Sequence, residues 1–110
     1  MLRLIPLALV ALTFASCDTM RDATDEAGRD ASRGVVAEVI AIHRPDVPKE
    51  RFDAHVDCVV ARAQALEVRE LAKAAVTGVN EATVIIVTNI LQRPDTAECI
   101  RLAAAGKPIS

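Results

Sequence analysis

The sequence predicts an all-α fold: a small bundle of four to five short helices, stapled by one disulfide and preceded by a charged, partly helical tether. Three observations predict it. From Val35 to Ala103 the apolar residues recur at three- and four-residue spacings rather than at alternate positions. Gly34, Pro45, Pro48, Gly78, Pro94 and Gly106 fall between those runs and punctuate them. Of the three cysteines, Cys58 and Cys99 both fall on apolar helical faces, about 40 residues apart, and the third, Cys17, stands well before them.

The first segment is a leader. Residues 1–16 read MLRLIPLALVALTFAS: Arg3, then an apolar stretch from Leu4 to Ala15, then the small residues Ala15 and Ser16. That is the layout of a secretory signal peptide. The run is shorter than the roughly 20 apolar residues a bilayer span needs, and Asp18, Arg21 and Asp22 follow at once. Residues 17–34 then form the tether. Met20, Ala23, Ala27 and Ala31 share a thin helical face among charges, and Asp25 and Arg29 are four apart in the favourable acid-first order. Such a stripe has little to bury, and a solvated linker is expected, with docking along another envelope protein or on the bilayer as the rival.

Residues 35–110 form the domain. Gly34 is expected as a hinge, because the stripe of Val35, Val36, Val39, Ile40 and Ile42 is rotated from the one before it. That helix ends at His43-Arg44-Pro45, since a residue before proline avoids helical angles. Pro48 opens the central helix, where its missing N–H costs nothing. Phe52, Val56, Val59, Val60 and Ala63 line one side of it, and Ala54, Cys58, Ala61 and Ala65 nearly the opposite side, as in a helix packed between neighbours. Leu66 to Thr77 carries an apolar arc of Val68, Leu71, Ala72, Ala75 and Val76, closed by Gly78. Asn80 then N-caps a helix to Arg93, with Val84, Val87, Ile90 and Leu91 inward and Thr83 and Ile86 at the edge. The TVIIVT run has strand propensity, but alternation is poor and the cap favours a helix. Asp95 is expected to cap the last helix in a box with Glu98. Cys99, Ile100, Leu102 and Ala103 cluster on that helix, and Gly106 and Pro108 stop it.

Composition excludes several functions. The formal net charge is −2, one unit more negative once Arg3 leaves with the leader. That does not suit a nucleic-acid binder, which needs a basic face. The chain has no Trp or Tyr, and Phe52 is the sole aromatic after the leader, so base-stacking platforms and aromatic cages are out. There is no Gly-rich phosphate loop, Gly-x-Ser-x-Gly elbow or HExxH helix. Carboxylates are scattered among arginines as a soluble coat. No catalytic, cofactor-binding or metal-ligating residue is assigned, and no small-molecule substrate is inferred. His55 stands three before Cys58 and, with His43 and Cys99, could be drawn as a zinc set. The competing and preferred reading pairs Cys58 with Cys99 in an oxidising compartment, where a disulfide closing such a loop stabilises by roughly 4 kcal/mol. Redox catalysis is set aside because there is no Cys-x-x-Cys.

Phe14-Ala15-Ser16-Cys17 resembles a bacterial lipobox, with Phe14 where that motif usually has leucine. The resemblance implies a lipidated Cys17 and a small Gram-negative lipoprotein, anchored in the bilayer at the periplasmic face of a membrane. Ordinary cleavage after Ala15 is the rival and leaves Cys17 an odd thiol. Asp18 resembles an inner-membrane retention signal. Cys17, Thr19 and Arg21 also resemble the start of entericidin-type lipoproteins, which end soon after where this chain continues. Cys58, Thr77-Gly78-Val79, Arg93-Pro94, Thr96 and Cys99-Ile100 resemble short exported helical proteins of Gram-negative bacteria, which implies a paired-cysteine domain and no activity. The expectation is a non-catalytic, membrane-tethered structural or interaction module with an envelope partner. The alternatives are a small periplasmic stress chaperone and an entericidin-like membrane-active lipoprotein.

Overall fold

A computed structural model describes residues 25–108 of the chain. All regular structure among the described residues is helical, in five α-helices. The leader, Cys17 and the first part of the tether lie outside the described residues. No described helix is long and apolar enough to cross a membrane.

Helix α1 occupies residues 25–43 and runs without a break through Gly34. The expected hinge is absent. A mid-helix glycine costs about 1 kcal/mol against alanine, and the packing on either side of Gly34 offsets this. Ser32, Val35, Val36, Val39 and Ile40 are all buried. Counted from Gly28 they stand at i+4, i+7, i+8, i+11 and i+12, a single helical face. Residues 25–34 are helical and charged, as expected, and dock along one face only: Ser32 is buried, Gly28 and Arg29 are half-buried, and the rest are exposed. Ala27 and Ala31, the expected stripe, face solvent, and so does Ile42 at 63% exposure. The helix stops before Pro45, where Arg44 donates two hydrogen bonds to the Asp46 carboxylate, both 3.1 Å.

Pro48 does not open the central helix. It precedes a short 3-10 turn, Lys49–Arg51, which leads into α2, Phe52–Arg62. Val56, Cys58, Val59 and Val60 of α2 are buried, as is Ala63 just beyond it. Ala63 and Gln64 are extended, and α3 runs Ala65–Thr77. Its buried residues are Val68, Leu71 and Ala74. Ala75 and Val76, placed inward by the sequence, are exposed, Val76 at 88%. The other side of α3 has no described neighbour to cover them.

Gly78, at φ 96°, closes α3, and its N–H donates to the Ala74 carbonyl at 2.8 Å. Asn80 caps α4, Glu81–Leu91, as expected: its side chain accepts from the Thr83 N–H at 3.1 Å, and the Thr83 hydroxyl accepts from the Asn80 N–H at 3.2 Å. Thr83, Val87 and Ile90 are buried at helical spacing, so the strand propensity of this run is overridden by one-sided burial. Helix α5, Pro94–Ala104, begins one residue before the expected cap, Asp95. Proline's fixed φ and missing N–H suit the first helical position. Glu98 therefore pairs with Arg101 instead of closing a box.

The apolar core gathers side chains from α1, α2, α3 and α4, with Ile40, Leu71, Ile90, Val36, Val39, Val59 and Val87 wholly enclosed. Helix α5 packs outside this core, against α2 and α4.

Candidate functional site

The sulfur pair is the first constellation. Cys58 leaves α2 on the side away from Val56 and Val59 and meets Cys99 of α5. The two stand at disulfide distance, with Cα atoms 5.7 Å apart and 41 residues of separation. Both residues are fully buried. A disulfide there offers no thiolate for chemistry without movement of a helix. Cys17, the expected lipidation site, lies outside the described residues.

The histidines do not join the sulfurs in a ligand set. His55 Nδ1 lies 2.8 Å from the Arg51 carbonyl and takes the donor role there. His43 is exposed at the end of α1. Among the described residues no three His, Cys, Asp or Glu side chains come together as a metal set.

The second constellation joins α3 to the α4–α5 corner. Glu67, in the first turn of α3, accepts the Gln64 backbone N–H at 2.8 Å. The same carboxylate accepts both terminal nitrogens of Arg93, one at 2.8 Å. Glu67 is 17% exposed and Arg93 28%. The hydrogen bonds from Arg93 hold the Glu67 carboxyl below the usual carboxylate range, and burial opposes them. Asp46 and Glu98 are lowered in the same way by Arg44 and Arg101.

The third lies between α1 and α2. Arg29 donates to the carbonyls of Val60 and Ala63 at the end of α2, where helix carbonyls lack intrahelical partners. A guanidinium there also meets the negative end of the helix dipole. Asp25 holds Arg29 from the other side at 3.0 Å, the pair expected from their spacing. Arg33 pairs with Asp57 of α2. Ser32, fully buried, donates to the Gly28 carbonyl at 2.7 Å and has the Val68 carbonyl at 3.4 Å. These groups border a groove of about 390 Å³ lined by Asp25, Glu26, Arg29, Asp30, Arg33, Asp57, Val60 and Ala61. Its lining holds no Ser, Thr, Cys or His, and its arginines are already engaged. A smaller recess of about 70 Å³ lies between α3 and α4.

The Glu67–Arg93 clasp and the Arg29 contacts were not anticipated. The partners are 26, 31 and 34 residues apart, and no local pattern announces them. The interrupted face of α1 did leave a signal: Gly28 and Ser32 continue the spacing of Val35, Val36, Val39 and Ile40 toward the N-terminus. Compared with known protein families, curated proteins and solved structures, the chain matches none of them.

Proposed function

We propose that this chain is a non-catalytic, lipid-tethered module of the bacterial cell envelope, held at the periplasmic face of a membrane by Cys17 and acting as a structural or protein-interaction part. The observation that carries the reading is the complete burial of Cys58 and Cys99 against each other. A structural disulfide belongs to an oxidising compartment. It also leaves Cys17, immediately after the leader, as the one cysteine outside the pair. From Cys17 to Asp25 even a fully extended chain reaches no more than about 30 Å. A body held that close to a bilayer meets partners there at raised effective concentration.

Expression of the whole chain in a Gram-negative host tests this. Mass analysis of the membrane fraction is expected to find residues 1–16 removed and acyl mass on Cys17. Cys17→Ala is expected to move the protein to the soluble fraction. An intact leader, or an unmodified Cys17 on a protein already soluble, would sink the proposal.

A further inference from the structure

We propose that α5 is a redox-latched strap: reduction of Cys58–Cys99 releases it as a disordered tail, while α1–α4 stay folded. Four observations converge. Helix α5 contributes no side chain to the described apolar core, which is complete within α1–α4 and the segments joining them. Only Thr96 and Cys99 of α5 are buried. The Thr96 hydroxyl is enclosed and has no hydrogen-bond partner, so the seat of α5 carries a polar group that release would return to water. At 11 residues, α5 is too short to persist as an isolated helix in water. Besides the sulfur link, α5 is held against α2 and α4 only by this seat and by the half-buried Ile100, Leu102 and Ala103.

The hinge is also defined. Arg93, one residue before α5, is clasped by Glu67, so the α4–α5 corner stays on α3 when the helix beyond it melts. Helix α2 cannot make the same movement, because Val56, Val59 and Val60 anchor it in the core.

The reductant is a dithiol, of the kind a thiol–disulfide oxidoreductase presents. Its thiolate attacks one sulfur during a local opening of α5, which frays while still linked to α2. A mixed disulfide forms as the Cys58–Cys99 bond breaks, and the departing sulfur takes up a proton. The second thiol of the reductant then closes its own disulfide and frees the other cysteine. Two electrons and two protons pass to the protein. The product exposes both thiols and the face of α2 that carries Ala54 and Cys58. Closing a 41-residue loop biases a chain by roughly a thousandfold in the chain-entropy model, so the link is strong enough to act as the latch. The inference needs only the cysteine pair and is independent of lipid at Cys17.

Hydrogen–deuterium exchange of the full chain, with and without dithiothreitol in native buffer, tests it. In the oxidised protein α5 is expected to be protected. After reduction its amides should exchange as unstructured chain, while α1–α4 remain at least ~100-fold slower than that limit. Three results overturn the strap: α5 as protected as α4 after reduction, all helices losing protection together, or a bond that yields to dithiothreitol only in denaturant. Two free thiols at Cys58 and Cys99 in the unreduced protein would sink both the strap and the reading of the disulfide above. The other three leave that reading standing.

Discussion

Glu67→Gln is expected to lower the stability of this fold by about 2 kcal/mol, an effect specific to Arg93. Glutamine keeps the shape of the side chain and can still accept the Gln64 N–H, so the start of α3 retains its cap. What is lost is a paired, charge-assisted contact to Arg93. Fully exposed pairs contribute about 0.2–1 kcal/mol, and breaking a buried pair costs about 3–5 kcal/mol. At 17% and 28% exposure this pair lies between those limits. For a domain of this size about 2 kcal/mol corresponds to a fall of roughly 8–16 °C in Tm. With no Trp or Tyr in the chain, far-ultraviolet circular dichroism is the suitable probe, in urea and on heating. A double-mutant cycle with Arg93→Gln should give a coupling of at least ~1 kcal/mol. The pH dependence has a definite sign. Arg93 depresses the folded-state pKa of Glu67, whereas the unfolded chain keeps an ordinary value of about 4.3. The contribution is therefore whole above about pH 4.3, and it is lost as pH falls from there through the lower folded value. The gap between wild type and Glu67→Gln should narrow in acid. A coupling under ~0.3 kcal/mol, or a gap unchanged between neutral and strongly acid pH, would refute the reasoning.

Three further outcomes are expected. Arg29→Ala should cost about 1–2 kcal/mol, because the carbonyls of Val60 and Ala63 lose their donor; urea midpoints measure it, and an unchanged midpoint would mean that α1 is not docked there. Gly28→Leu should cost about 1–3 kcal/mol by overpacking, since even a Cβ at Gly28 comes within 3.1 Å of Val68 Cγ1, whereas the same change at Gly34, where nothing lies within 4 Å, should be neutral or stabilising in a melt. Thr96→Val should stabilise the oxidised protein by about 1 kcal/mol, because it removes an enclosed hydroxyl that has no partner; a lower Tm would show that the hydroxyl is satisfied.

The fold class was legible because it depends on local rules. Proline and glycine positions located the helix ends to within a residue or two, as at His43, Thr77 and Arg93. Asn80 announced the start of α4 despite the β-branched run that follows it. The pairing of Cys58 with Cys99 followed from counting sulfurs and seeing two apolar faces. Errors arose where burial is decided by a distant neighbour. Gly28 and Ser32 are not apolar, so the inner face of α1 seemed to begin at Val35. Yet it is the smallness of Gly28 and the back-bonded hydroxyl of Ser32 that allow close packing against α3. Conversely, Ile42, Leu66 and Val76 are apolar and exposed, because no described element lies over them. Of the constellations, the sulfur pair and the Asp25–Arg29 pair had a signature in one dimension; the Glu67–Arg93 clasp and the contacts of Arg29 with the α2 carbonyls exist only once the helices are in place.

The docking of α1 has a mechanical consequence. A slack linker would absorb a pull on the amino-terminal end of the chain before any load reached the body. Here Arg29, Ser32 and Arg33 tie that end to the tail of α2, the start of α3 and Asp57. Tension on α1 at Asp25 would therefore pass directly into these polar ties and, through the same unbroken helix, into the valines of the core.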